Sequence, residues 1–186
     1  QGTLQVLALF DKPDPLEGPY FPETIYVTPS CEASDMQEKI TRTTQNAISA
    51  MGLSDGPIHA ELRLNETGPV IIEVAARSIG GLCSRILNFG AGVSLEELIL
   101  RHALSLPIES LDRENQAAGV IMLPVPGETP GKLVAIKGID AARSLPHIHD
   151  ITLSVPIGEH IIPLPEGNRY LGFIFARAKT SRVVEQ

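Results

Sequence analysis

Two short stretches decide the fold of the first half of the chain: IHAELRL at residues 58–64 and VIIEV at residues 70–74. In the first stretch apolar and polar residues alternate, and successive residues of a β-strand point to opposite faces of a sheet. Residues 65–69 include Asn, Gly and Pro, which favour a turn. The pattern predicts a β-hairpin with a core-facing side and a polar side.

This hairpin is expected to bring two acids together. With a loop over residues 65–69, Leu64 faces Val70 and Glu61 faces Glu73, with the two glutamate Cβ atoms about 5 Å apart. Like charges in that position destabilise a sheet unless a shared proton, an arginine or a divalent cation neutralises them. The side chains expected to be buried on the reverse face are Leu62, Leu64, Ile72 and Val74.

A cation and a bendable backbone follow the second acid. Arg77 comes after Glu73, and Gly80-Gly81 follows within the same segment. This combination is typical of a site that handles phosphate and metal. An ordinary amphipathic hairpin, whose solvated outer face has Arg63 bridging the two acids, explains the same pattern.

Capping residues predict the helices and strands around the hairpin. Ser34 with Gln37 and Ser94 with Glu97 are capping boxes, each opening an amphipathic helix. The strands expected in the first half are 4–10 and 23–28. Those expected in the second half are 117–123, 133–137, 151–155 and 170–176. We predict an α+β chain with two domains, 1–112 and a small β-rich domain over 113–186.

Charge and hydropathy exclude two classes of function. The 186 residues contain 15 Lys and Arg against 22 Asp and Glu, a net charge of −7. A surface that follows nucleic-acid phosphates needs the opposite excess. No run approaches the roughly 18 apolar residues of a membrane span. We expect a cytoplasmic protein without nucleic-acid or membrane partners.

With Glu61, the run IEVAAR at residues 72–77 and Gly80-Gly81 after it, the hairpin resembles the C-terminal lobe of the ATP-grasp ligases. The resemblance implies that Glu61 and Glu73 hold Mg²⁺ or Mn²⁺ and that these acids and Arg63 contact ATP. It also implies that Arg77 is the catalytic cation.

The resemblance extends to the substrate and has one departure. It points to the amino-acid ligase branch, and His59, Glu23, Gly80 and Gly81 are the candidate substrate contacts. In the segment 11–19 and just beyond it, Glu17 or Glu23 is expected to meet an amino group. Ala75 stands where many ATP-grasp enzymes carry an asparagine ligand, which puts a second metal site in doubt.

The implied activity is ATP-dependent joining of a carboxylate, that of an amino acid, to an amine or thiol through an acyl phosphate. The partners are then a small carboxylate or amino-acid substrate and the N-terminal lobe of the same polypeptide, with a homodimer left open. Because that lobe supplies most nucleotide contacts, we expect this chain alone to be inactive.

Other functions stay open on the sequence alone. One is a non-catalytic module that binds metal or nucleotide through the two acids. Another is a ligase of the biotin-carboxylase or carbamoyl-phosphate-synthase type. A more distant alternative is a zinc hydrolase whose ligands are His147, His149 and His160.

Overall fold

The computed structural model of the protein describes residues 2–15 and 23–186, so Glu17 lies outside the described residues. The helices are α1 (Ser34–Ala50), α2 (Leu95–Ala103), α3 (Ile139–Arg143) and α4 (Ser181–Val184), and a 3-10 turn, η1, covers Cys83–Ile86. The strands are β1 (Ile25–Thr28), β2 (His59–Asn65), β3 (Gly68–Ala75), β4 (Asn88–Phe89), β5 (Val93–Ser94), β6 (Ala117–Leu123), β7 (Gly131–Lys132), β8 (Ile148–Leu153), β9 (His160–Ile161) and β10 (Gly172–Ala178).

Contacts between residues group the described chain into two compact units. The first unit comprises residues 2–9 and 31–114, and the second comprises residues 10–15, 23–30 and 115–186. The second unit takes in β1 from the first half of the chain, because β1 pairs with β6. The domain bounds 1–112 and 113–186 stay a prediction.

In the first unit, α1 packs against β3 of the hairpin. Its buried residues Ile40, Thr44 and Ile48 recur every fourth position and so form one face. The predicted cap is wrong: Ser34 is the first helical residue, and the N-cap, Ala33, makes no side-chain hydrogen bond.

The remainder of the first unit is built around η1 and α2. Ser94 caps α2 as predicted, since its hydroxyl accepts a hydrogen bond from the Glu97 backbone N–H at 3.2 Å. The side chains that form the apolar core of this part are Cys83, Ile86, Leu87, Phe89, Leu95 and Leu98. The segment that directly follows Gly80-Gly81 therefore lies in the core of its unit.

The second unit contains a four-stranded antiparallel sheet in the order β1-β6-β10-β8. Its central strands hold buried apolar residues such as Val120, Met122 and Phe175. The predicted strand 117–123 is confirmed by β6. The predicted strands 151–155 and 170–176 are shifted relative to β8 and β10. The predicted strand 133–137 is wrong, because β7 ends at Lys132.

The predicted strand 4–10 is also wrong, since residues 2–10 belong to no regular element. A strand needs a neighbouring strand to complete its backbone hydrogen bonds. Within the second unit, Asp11 exchanges two such bonds with Val27, at 2.8 and 3.0 Å. In the first unit the Leu4 N–H is satisfied by the side chain of Gln45 at 2.7 Å.

Helices and antiparallel strand pairs together confirm the predicted α+β class. Among the described residues, no helix combines the length and the apolar character that crossing a membrane requires.

Candidate active site

The hairpin turns more tightly than the sequence predicts. Asn65 pairs with Gly68, so that Glu66 and Thr67 form a two-residue turn in place of a loop over 65–69. The Asn65 Oδ1 atom accepts hydrogen bonds from the Thr67 N–H at 2.9 Å and from the Thr67 hydroxyl at 2.7 Å. Gly68 has φ 115°, a conformation that favours glycine.

A bulge in β3 compensates for the tighter turn. The turn pairs Leu62 with Ile71, and the register shifts before the next pair, leaving Ile72 without a directly opposed residue in the ladder. Beyond this bulge Glu61 pairs with Glu73. The predicted opposition of the two acids is confirmed, although neither the predicted loop nor a regular ladder produces it.

The predicted apolar reverse face is only partly correct. Leu62 and Val74 are half-buried, whereas Leu64 is 36% and Ile72 62% exposed. The bulge interrupts the alternation of side chains at Ile72. Leu64 lies near the turn, where both strands carry exposed residues.

The two acids have different surroundings within one strand pair. The Glu61 side chain is 21% exposed and the Glu73 side chain 50%. The His59 Nε2 atom lies 3.8 Å from Glu61 Oε1, a distance at which a protonated imidazole would pair with the carboxylate. Arg63 is exposed and pairs with Val70 in the ladder. One acid is thus largely sheltered and the other open to solvent.

Arg77 links the open acid to the loop after β3. Its Nη2 atom lies 3.3 Å from Glu73 Oε1, and its Nη1 atom donates a hydrogen bond to the Ser78 carbonyl at 3.0 Å. The guanidinium is about half exposed, so it remains accessible to a ligand. A planar guanidinium held at two points is suited to bind phosphate or carboxylate.

Gly80 lies near this guanidinium, because a Cβ atom added at Gly80 would stand 4.0 Å from Arg77 Nη1. Gly81, the next residue, has φ 62°. The chain then enters η1, where the Cys83 N–H donates to the Gly80 carbonyl at 3.5 Å. The first unit therefore contains both acids, Arg77 and this glycine pair.

Glu23, the other candidate substrate contact, belongs to the second unit. Its Oε1 atom accepts a hydrogen bond from the Lys12 ammonium and its Oε2 atom one from the Tyr26 hydroxyl. Lys12 Nζ also lies 5.1 Å from the centroid of the Tyr26 ring. A substrate amino group at Glu23 would have to share or replace these partners.

The three histidines of the zinc alternative do not form a metal site. His147 lies outside β8 with φ 71°, His149 is at the irregularity in the β8–β10 ladder, and His160 is on β9. Within residues 23–186, no group of three potential ligand side chains combines them.

Sequence reasoning missed one polar contact beside the candidate site. The buried Ser84 hydroxyl of η1 donates a hydrogen bond to Glu96 Oε1 in the first turn of α2. Burial acts to raise the pKa of the Glu96 carboxyl, but hydrogen bonds from Ser84, from the Glu96 backbone and from Ser94 outweigh it and lower that pKa. Neither spacing nor a motif signals this pair, because it joins two separate elements.

The paired carboxylates fit a magnesium ion that also binds phosphates. Mg²⁺ is usually held by one or two protein carboxylates, with water and substrate phosphates as its other ligands. Two directly opposed residues on neighbouring strands, Glu61 and Glu73, offer this number of carboxylates from one face. Ala75, which pairs with His59, offers no ligand atom on its side chain.

Residues 1–86 match the family described as ATP-grasp domain, and residues 124–186 match the family described as L-amino acid ligase C-terminal domain 2. Residues 1–86 therefore belong to an ATP-grasp domain. The second match is consistent with the amino-acid ligase branch of that family.

The chain is similar to an L-amino acid ligase from Bacillus licheniformis, which is 28% identical, with a TM-score of 0.81 over 100% of this chain and 46% of that one. Carnosine synthase 1 of Gallus gallus is 32% identical over 114 residues, which are 59% of this chain and 12% of that protein. The chain thus spans less than half the length of either protein.

The same fold occurs in a carboxyaminoimidazole ribonucleotide synthase from Aspergillus clavatus, which was crystallised in complex with ATP. That structure is 22% identical and has a TM-score of 0.55 over 88% of this chain and 40% of its own. Enzymes of the ATP-grasp family bind ATP.

Proposed function

We propose that the chain is the metal- and acyl-phosphate-binding part of a ligase that joins the carboxyl group of an amino acid to an amine or thiol at the expense of ATP. The observation that carries the proposal is the direct opposition of Glu61 and Glu73, with Arg77 bound to the second acid. A like-charged pair without a ligand destabilises a sheet, which points to a role in binding.

Glu61 and Glu73 hold the metal in this proposal, and Arg63 contacts the nucleotide from the same strand as Glu61. Mg²⁺ or Mn²⁺ bound there would supply the positive charge that compensates the phosphate oxygens during phosphoryl transfer. Because Glu61 is less exposed than Glu73, it is the more restrained of the two metal ligands in this proposal.

Arg77 acts on the acyl group. Its contacts with Glu73 and the Ser78 carbonyl hold the guanidinium before any substrate arrives. A donor fixed in advance stabilises the oxyanion that forms when an amine attacks an acyl phosphate, an effect of about 3 kcal/mol for one donor. Gly80 leaves room for the substrate beside it, and His59 is a further candidate substrate contact.

The amino-acid ligase branch is favoured over a carboxylase-type ligase by the match of residues 124–186. One observation favours the alternative of a non-catalytic binding module: the side chain of Ala75, on the same hairpin, cannot ligate a metal.

The test uses the full-length protein that contains this chain. We expect phosphate release from ATP to require both a divalent metal and an amino acid, and Glu73→Gln to lower its rate about a hundredfold. Glu66→Gln is the matched control, since Glu66 is an exposed acid in the turn of the same hairpin.

Normal turnover in Glu73→Gln would end the assignment of the metal site. Metal binding by the wild type without amino-acid-dependent phosphate release would favour the non-catalytic module instead.

A further inference from the structure

The turn η1 anchors the end of the Arg77 loop in the core. Cys83 and Ile86 are each 1% exposed and Ser84 is 5% exposed. Ser84 is one of few polar side chains buried to this extent among the described residues. A buried hydroxyl without a partner costs stability, so its hydrogen bond to Glu96 is needed to keep the turn in place.

Glu96 is itself held in a defined position. It lies in the first turn of α2, where the helix dipole favours a negative charge. The neighbouring Leu95 and Leu98 are buried and fix the helix to the core. Hydrogen bonds to charged groups are among the stronger ones in proteins, and α2 thus offers η1 a rigid acceptor.

A continuous set of contacts leads from this pair to the candidate active site. The Cys83 N–H, next to Ser84, bonds to the Gly80 carbonyl at 3.5 Å. A Cβ atom added at Gly80 would stand 4.0 Å from Arg77 Nη1, and that nitrogen donates to the Ser78 carbonyl at 3.0 Å. Movement of η1 would therefore move the backbone to which the guanidinium is bound.

We propose that Ser84 and Glu96 are positioning residues for Arg77: their hydrogen bond fixes η1 and with it the segment 78–82 beside the guanidinium. The role in turnover rests on the proposed function of Arg77. The effect of the hydrogen bond on the position of the loop does not depend on the proposed function, so the two proposals can be tested separately.

The kinetic test uses Ser84→Ala and Glu96→Ala in the full-length protein, well below the melting temperature. Because a small displacement of a catalytic group lowers turnover, we expect kcat for amino-acid-dependent phosphate release to fall about tenfold in each variant. The KM for ATP should stay the same, since the two acids that bind metal are untouched.

Three further variants separate positioning from general stability. Glu96→Gln keeps an oxygen acceptor for Ser84 and should restore most of kcat. The double variant Ser84→Ala/Glu96→Ala should be no slower than the slower single variant, because both remove one contact. Glu97→Ala removes the 2.7 Å ion pair with Arg101 on the same helix and should leave kcat unchanged.

Amide hydrogen exchange of residues 78–87 provides the readout that does not need activity. Exchange in this segment should be faster in Ser84→Ala and unchanged in Glu97→Ala. Unchanged exchange in Ser84→Ala, or a lower melting temperature with normal kcat, overturns the positioning role. Absence of amino-acid-dependent phosphate release in the wild type overturns the proposed function instead, and the exchange result still decides whether the hydrogen bond holds the loop.

Discussion

The acidic hairpin β2–β3 and the strand pair β6–β10 are both antiparallel, yet they differ in burial and in the regularity of their pairing. In β6 most residues are buried, and its ladder with β10 runs without a break from Ala117 to Leu123. The hairpin has a bulge, exposed apolar residues and two opposed acids. The sheet is packed for stability, whereas the hairpin departs from such packing at and around the two acids proposed to bind metal.

The largest expected effect is on the stability of the sheet. Phe175 is 3% exposed, so Phe175→Ala should lower the free energy of unfolding by about 3–5 kcal/mol. Ile72→Ala, at the exposed hairpin bulge, should change it by less than about 0.5 kcal/mol. Denaturant unfolding of the two variants measures the contrast, and similar losses in both would remove the distinction between the two regions.

The next effect is on activity without a loss of stability. In the full-length protein, Arg77→Ala should lower the rate of amino-acid-dependent phosphate release about a hundredfold, because a fixed donor is lost. Its melting temperature should hardly change, since ion pairs between half-exposed groups contribute little to stability.

Arg42→Ala, which removes an exposed arginine of α1, is the control for the loss of one positive charge. A clearly lower melting temperature of Arg77→Ala with normal turnover would mean that its ion pair with Glu73 stabilises the fold. The hairpin would then be a structural element like the sheet.

The smallest effect is on the pH dependence of stability. The pKa of Glu96 lies below its ordinary value of 4.5 in the folded protein. The stabilisation from its carboxylate is therefore complete above that value and is lost as the pH falls through the lower folded-state pKa. The difference in melting temperature between the wild type and Glu96→Gln should be constant near neutral pH and shrink on acidification.

The melting temperature of Glu97→Gln over the same pH range provides the comparison within α2, because Glu97 is the next residue and pairs with Arg101 instead of Ser84. A difference between the wild type and Glu96→Gln that persists or grows in acid would contradict the role of the ionised carboxylate.

Several interpretations of the sequence stay predictions. They are the cytoplasmic location, the homodimer, the N-terminal lobe and the inactivity of this chain by itself. The roles of Glu61, Glu73, Arg63 and Arg77 are supported by their arrangement and await the measurements above.

Local chemistry made some elements predictable from the sequence. Ser94 caps α2 because a hydroxyl three residues before a free backbone N–H can satisfy it wherever the helix lies. β6 was predictable because a short, continuous run of apolar residues is typical of a buried strand. The opposition of Glu61 and Glu73 was predicted, since a hairpin keeps neighbouring strands in a narrow range of registers, but a bulge in β3 restores it after a turn that is tighter than predicted.

Tertiary structure alone decided the rest. Residues 4–10 have an apolar pattern but form no strand, because a strand depends on a partner that the pattern does not name. The bulge at Ile72 and the exposure of Leu64 belong to the folded hairpin, and the alternation of the sequence indicates neither. The bond between Ser84 and Glu96 requires η1 and α2 to pack side by side. Local sequence can encode a cap or a turn because the interacting atoms are a few residues apart, but these contacts exist only once distant segments have met.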